Sequence, residues 1–299
     1  MKQVLITGAN GQLGKALGFD VPMGYEVLMA GRDALDITDR QSVFDFFSAN
    51  ELDGVINAAA YTAVDKAESE HEMADLVNAQ GAHHLALAAR EYSIPMVQVS
   101  TDFVFDGKQG APYRPDDVAR PLNVYGKTKY IGEQRVQSVP DLTVAIVRTA
   151  WVYDAVSSNF VTSMLRLMHE RESLGVVADQ IGSPTFAGGL ATACWNLLGK
   201  SGVFHWTDAG VASWYDFAVA IQLSAIETGI LSRQIPIRPI TSKQYPTPAR
   251  RPSNSVLDKS GTWEVLEGEP LHWRFQLGKV LKASSVVAKL RGNRLDQTV

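Results

Sequence analysis

The sequence predicts an α/β fold: a doubly wound parallel sheet over the first half, followed by a smaller C-terminal α+β lobe. Three observations carry this expectation. Strand-like apolar runs alternate with helix-period segments as far as Thr149. The runs are apolar throughout rather than at every second residue, as burial on both faces requires. A glycine-rich turn follows the first run and opens into a helical segment.

The expected strands of the sheet cover residues 4–7, 26–30, 54–60, 95–101 and 143–149. Between them, Thr38 is expected to cap a helix carrying Val43, Phe44 and Phe47, and residues 70–92 and 125–136 read as longer amphipathic helices. After Thr149 the pattern changes to helices at 159–172, 186–198 and 214–228, separated by shorter strand-like pieces such as 202–207. We therefore expect a division into residues 1–150 and 151–299, with some later segments returning to the first unit. Pro236, Pro239, Pro246, Pro248 and Pro252 make a loop-rich stretch. A last helix is expected near 277–290, with a tail that frays from Gly292.

Composition narrows the function classes. A chain of 299 residues that is 45% hydrophobic can bury a large core. Its net charge of -4 and pI near 5.9 argue against nucleic acid as a partner and favour small molecules. Cys194 is the only cysteine, which excludes an intrachain disulfide and a thiolate metal cluster and fits a reducing compartment. The opening strand leaves no room for a signal peptide, and no apolar run reaches the ~18 residues of a membrane span. A cytoplasmic protein without membrane partners is expected.

The glycine-rich turn reads Gly8-Ala9-Asn10-Gly11-Gln12-Leu13-Gly14. Missing side chains let a backbone approach a pyrophosphate, whose charge is met by N–H groups and the positive end of the helix dipole. Gly8, Asn10, Gly11, Gln12 and Leu13 are accordingly candidate dinucleotide contacts. The second strand ends Met29-Ala30-Gly31-Arg32-Asp33, where Arg32 could bind a 2'-phosphate. Alternatively, Asp33 or Asp36 takes a free ribose, so NADPH is the expected cofactor and NADH remains open. Asp36 and Ile37 complete this group. Ala58, Ala59 and Ala60 let backbone lie close to a cofactor, or serve tight sheet packing.

Tyr125 and Lys129 lie four residues apart and so share one face of a helix. The ammonium is expected to favour the phenolate and lower the tyrosine pKa, giving a usable general acid/base. Thr101 stands 24 residues earlier, at the carboxyl end of the fourth strand, where open α/β sheets form their ligand crevice.

The hydroxyl residue, Tyr-x-x-x-Lys and Gly-x-x-Gly-x-x-Gly together resemble the extended short-chain dehydrogenases/reductases, a Rossmann-type family. Matched residue by residue, the resemblance implies that Thr101 and Tyr125 hydrogen-bond the reacting oxygen, that Tyr125 exchanges its proton, and that Lys129 also holds the nicotinamide ribose. Further segments are similar to the dTDP-4-dehydrorhamnose reductases in particular, among them residues 57–68, Ser100 through Gly107, 121–129, Arg148-Thr149-Ala150-Trp151-Val152-Tyr153, 179–185 and 245–255. The likeness spans nearly the whole chain. It implies a step of dTDP-rhamnose biosynthesis: reduction by NADPH of the C4 ketone of a nucleotide-activated 6-deoxysugar. Val64, Thr101, Asp102, Phe103, Tyr125, Trp151 and Arg251 are the implied substrate contacts.

Trp151 offers a flat wall to a deoxysugar, or is a core tryptophan; Arg250 and Arg251 suit a diphosphate, or a surface ion pair. Asp179, Gln180 and Thr185 fall in a turn that the family places beside the substrate. His83 and His84 diverge on their helix and are assigned no metal. A dehydratase would need a carboxylate where Phe103 stands. Another nucleotide-sugar 4-ketoreductase, a 4-epimerase, or a non-catalytic NADP-binding regulatory subunit of the methionine adenosyltransferase type is the alternative. Some members dimerise through magnesium held by glutamates, but the matching neighbourhoods here read Lys15-Ala16 and Phe186-Ala187-Gly188-Gly189-Leu190. A metal-bridged dimer is therefore not expected, leaving a monomer or another homo-oligomer.

Overall fold

In the computed structural model, which describes residues 1–155, 157–268 and 270–295, five strands of the first half form one sheet. They are Lys2–Thr7 (β1), Tyr25–Ala30 (β2), Gly54–Asn57 (β3), Met96–Thr101 (β4) and Val144–Thr149 (β5). All pair in parallel, in the order β2, β1, β3, β4, β5, and Gly202–His205 adds a sixth parallel strand beside β5. The order reverses at β1, which puts the ligand crevice of an open α/β sheet at the carboxyl ends of β1 and β3.

Side-chain alternation explains the unbroken apolar runs. Leu5, Val55, Met96 and Ile146 enter one core, while Val4, Ile6, Ile56, Val97 and Val147 enter the other. Helices Arg40–Ala49, Ala82–Glu91 and Val124–Gln137 close the first face through Phe47, Leu85 and Val136. Helices Gln12–Phe19 and Ala187–Leu197 close the second through Leu17, Leu190 and Trp195. Each fully buried side chain of this size contributes about 1.5–3 kcal/mol of transfer free energy.

Three local readings need correction. β3 stops at Asn57 rather than Ala60, because the side-chain carbonyl of Asn57 accepts from Thr7 Oγ1 at 2.6 Å and from the Ala59 N–H at 3.1 Å, turning the chain out of the ladder. Asp39, not Thr38, caps the next helix, accepting from the Gln41 and Ser42 N–H groups at 2.9 and 3.4 Å. Thr38 is occupied with Asp36, to which its hydroxyl donates at 2.7 Å. The helix expected over 70–92 is interrupted by a π-helical stretch, Leu76–Gly81. That stretch carries buried Asn78, whose amide binds the Tyr61 backbone at 2.9 and 3.1 Å and Thr128 Oγ1 at 3.1 Å.

A second core lies in the later half, where Phe160–Glu170, Trp214–Glu227 and the helix Trp273–Leu295 meet around Tyr153, Phe217 and Trp273. Short strand pairs edge it: Val152–Tyr153 with Thr185–Phe186, Leu174–Val177 with Ile237–Ile240, and Ile181–Gly182 with Ala212–Ser213. The last helix starts before Leu277, and its backbone continues through residues 292–295 where fraying was expected. Residues 296–299 of that expected tail lie outside the described residues. Among the described residues no helix is long and apolar enough to cross a membrane.

Candidate active site

At the end of β1 the chain turns through Gly8, at φ +65°, a conformation that side chains resist. A Cβ there would lie 2.6 Å from the Ala59 nitrogen and 2.7 Å from Ala58, so only glycine lets the loop rest on the segment leaving β3. The helix Gln12–Phe19 begins at Gly11 with no side chain capping its first N–H groups, which leaves them directed at the loop. This cradle opens on a cleft of about 670 Å³. Every residue proposed for the cofactor lines it: Gly8, Asn10, Gly11, Gln12 and Leu13; Arg32, Asp36 and Ile37; Ala58, Ala59 and Ala60; and Tyr125 and Lys129. Hydrogen bonds from Thr38, with the Arg32 charge beside it, hold the Asp36 carboxyl below the usual carboxylate range.

Thr101 ends β4 and caps the 3-10 turn Asp102–Val104. Its hydroxyl accepts from the Phe103 N–H at 3.1 Å and donates to an Asp102 carboxylate oxygen at 3.0 Å. The facing helix, Val124–Gln137, is capped by Asn123, which accepts from the Gly126 N–H at 2.8 Å and donates its side-chain amide to the Arg250 carbonyl at 2.8 Å. A Cβ at Gly126 would strike the Phe103 carbonyl, so this glycine sets how closely helix and turn approach. The approach brings the Tyr125 phenol beside the Thr101 hydroxyl, and the Tyr125 and Phe103 rings meet edge to face with centroids 5.8 Å apart.

The electrostatics differ from the expectation that Lys129 lowers the tyrosine pKa. Burial pushes the Tyr125 phenol up to about 12, opposed by the Thr101 hydrogen bond and reinforced by the Asp102 carboxylate. Lys129 Nζ instead donates to the Val99 carbonyl at 2.6 Å, and burial draws its own pKa down to about 8. Desolvation outweighs charge pairing here: Lys129 is buried between helix and sheet, and Tyr125 is half-buried at the cleft wall. Buried Asp102 is raised to about 6 for the same reason, eased by hydroxyls of Ser255 and Thr101.

One buried group was not singled out by sequence reasoning. Glu133 binds Arg148 in a two-pronged ion pair, with Nη2 to Oε2 at 2.7 Å and Nε to Oε1 at 3.0 Å, and the Ser100 hydroxyl donates to the same carboxylate. Its signal was available: Tyr125, Lys129 and Glu133 repeat every fourth residue, and Arg148 interrupts the apolar run Val144-Ala145-Ile146-Val147.

The proposed substrate residues are not all in one place. A second cleft, of about 1080 Å³, is lined by Arg251 together with Arg250, Asp179, Gln180, Asp65 and Trp214. Arg251 forks onto the Asp65 carboxylate at 3.1 and 2.8 Å, and also reaches Thr247 Oγ1. Arg250 is exposed, whereas Thr185 is fully buried. Asp179 accepts from the Ser242 N–H and hydroxyl at 2.8 and 2.7 Å. Trp151 takes a positive φ of 48° and stacks on Trp214 with centroids 3.5 Å apart, so one face of the expected wall is covered. Val64 opens the short helix Val64–Ala67, and Asp102 and Phe103 stay in the turn below Tyr125. His84 Nδ1 lies 3.0 Å from the Ile37 carbonyl. Among the described residues no group of three or more His, Cys, Asp or Glu side chains is arranged to hold a metal ion.

Comparison with known proteins adds to this geometry. The family model for the RmlD substrate binding domain matches residues 1–286. The dTDP-4-dehydrorhamnose reductase of Aggregatibacter actinomycetemcomitans is 40% identical over 290 residues, covering 94% of this chain and 98% of its own. The chain belongs to the dTDP-4-dehydrorhamnose reductase family. As a member of this reductase family it is an oxidoreductase with a Rossmann-type α/β fold. The dTDP-4-dehydrorhamnose reductase of Bacillus anthracis, solved in complex with NADP, matches with a TM-score of 0.87 at 34% identity over 94% of this chain and 99% of that one. A dTDP-4-keto-6-deoxy-D-glucose reductase of Streptomyces niveus is 39% identical over 278 residues, or 90% of this chain and 93% of its own. The family resemblance read from the motifs thus extends over nearly the whole chain.

Proposed function

We propose that this reductase-family protein reduces the C4 ketone of a nucleotide-activated 6-deoxysugar with NADPH, converting dTDP-4-dehydro-L-rhamnose to dTDP-L-rhamnose. The observation that carries the proposal is that Tyr125 and Lys129 line the same cleft as the glycine loop, with the Thr101 hydroxyl beside the phenol. Catalytic roles for Thr101, Tyr125 and Lys129 belong to it. The cradle at Gly8, the uncapped N–H groups of helix Gln12–Phe19 and the Arg32 guanidinium suit a dinucleotide with a 2'-phosphate, since Asp36 is already engaged by Thr38. NADPH, when bound, supplies the hydride.

The protein's part is to supply and place the proton. A phenol at about 12 remains protonated at neutral pH, so Tyr125 serves as an acid. A secondary alkoxide approaches the basicity of hydroxide, whose conjugate acid has a pKa of roughly 15.7, and the transfer from Tyr125 runs downhill. The Thr101 hydroxyl, which donates to Asp102, rotates to share its hydrogen with the same oxygen. Below about pH 8 Lys129 keeps its charge, which favours the negative oxygen and suits a ribose hydroxyl.

On the substrate side, the lobe formed mainly by residues 151–299 takes the sugar nucleotide, with Arg251 on the diphosphate. Val64, Asp102, Phe103 and Trp151 complete the contact set. The diphosphate has to compete with Asp65 for the guanidinium fork. A cytoplasmic setting, where a lone buried thiol such as Cys194 stays reduced, is part of the same reading. The test is to mix the protein with NADPH and dTDP-4-dehydro-L-rhamnose and identify the product by NMR. One NADPH should be oxidised for each ketone lost, with dTDP-L-rhamnose as product. No oxidation above background with any 4-keto sugar nucleotide overturns the proposal, and the opposite C4 configuration rejects the sugar while keeping the reduction.

A further inference from the structure

Tyr125, Lys129 and Glu133 occupy one face of the helix Val124–Gln137, each a turn beyond the last. Glu133 is 1% exposed and its partner Arg148 4%. Arg148 is fixed further by its Nη1 bond to the Pro115 carbonyl at 3.1 Å and by the Phe105 ring, whose centroid lies 5.1 Å from the guanidinium carbon. Ser100, which also binds Glu133, is the register partner of Arg148 across β4 and β5, and the next pair in the ladder is Thr101 with Thr149. One carboxylate therefore joins the helix bearing Tyr125 and Lys129 to two strands, a single residue before Thr101.

A buried ion pair is a weak source of stability, since a well-packed apolar replacement is often neutral or stabilising. This one stands where its charge bears on the site. Burial works to neutralise Lys129, and the Glu133 carboxylate is the opposing influence. The other groups around it do not take over that part. Tyr125 on the same helix stays protonated, β4 presents the Val99 carbonyl and Ser100, and β5 presents the cationic Arg148. His205, on the strand beside β5, is kept neutral by burial and the Arg148 charge, which hold it down to about 3.

We propose that Glu133, held by Arg148 and Ser100, is a positioning residue that keeps Lys129 charged and seats the Tyr125 helix over the end of β4. The part concerning turnover rests on the reductase reading; the part concerning Lys129 stands apart from it.

The experiment compares wild type, Glu133→Gln and the double variant Glu133→Gln with Arg148→Met, in which no unpaired buried charge remains. Two quantities are followed across neutral and alkaline pH: kcat/KM with a 4-keto sugar nucleotide, and NADPH binding by fluorescence titration, which needs no turnover. In wild type both should decline as Lys129 loses its proton at about 8. In Glu133→Gln the decline should move to lower pH by about one unit, the size expected for loss of one close opposite charge, and in the double variant, which also sheds the opposing Arg148 charge, it should move the same way by less. A folded Glu133→Gln variant with the wild-type pH profile and NADPH affinity overturns the proposal. So does a double variant that fails to fold, because the pair would then serve the fold first. If wild type binds NADPH but reduces no 4-keto sugar, the proposed reaction fails while the binding profiles still decide the role of Glu133.

Discussion

A phenol raised to about 12, as at Tyr125, enters a reaction as an acid and not as a base. The substitution Tyr125→Phe keeps the edge contact with the Phe103 ring and removes only the hydroxyl with its proton. We expect kcat to fall about 10²- to 10⁴-fold, the usual worth of a positioned acid, with NADPH affinity unchanged. A Tyr125→Phe variant that still turns over at the wild-type rate would assign the proton elsewhere. For Arg251, replacement by Ala should raise KM for the sugar nucleotide about 10- to 100-fold, the range for hydrogen bonds to a charged group, with little change in KM for NADPH. Steady-state kinetics with each substrate varied in turn checks the split. At this scale sequence spacing was informative about neighbours and silent about depth. Four residues place Lys129 beside Tyr125 on a helix face, but only the fold reveals that Lys129 is buried and Tyr125 half-buried, and this desolvation reverses the predicted direction of the tyrosine shift. For Arg251 the sequence left an ion pair open but could not name its partner, because Asp65 lies 186 positions away in the chain.

Among the elements, the helix Val124–Gln137 depends on Asn123 in two ways, since this residue caps its first turn and tethers the Arg250 loop. Asn123→Ala should cost about 1 kcal/mol of stability in urea unfolding, and Asn123→Asp should restore the cap without the tether to Arg250. If Ala leaves stability unchanged, the cap carries no weight in the folded protein. Strands were the most legible elements, because a sheet covered on both faces demands continuous apolar sequence and leaves few other readings. Ends were less legible. Thr38 and Asp39 are both good cap residues, and only the nearby Asp36 decides which of them is available. The π-helical stretch at Leu76–Gly81 had no sequence mark, as it follows from Asn78 reaching to Tyr61 and Thr128, residues remote in the chain.

For the whole molecule, the missing carboxylates at Lys15-Ala16 and Phe186-Ala187-Gly188 lead to one further expectation: EDTA should leave the mass in multi-angle light scattering unchanged. A fall to half the mass on chelation contradicts it. The α/β class was legible because the pattern of runs and helices is a property of the entire first half, insensitive to any single misplaced boundary. The later half was harder to read, since its strands are two to four residues long and too short to show a period. One strand there, Gly202–His205, bears on the order in which the sheet can close. It covers the flank of β5, a strand whose six residues are all buried in the finished fold. During synthesis β5, which ends at Thr149, leaves the ribosome well ahead of a cover that begins only at Gly202, and the nascent chain carries an unpaired apolar sheet edge for that interval. Slower translation between Thr149 and Gly202 is therefore expected to lengthen the time for which that edge stands open to wrong partners.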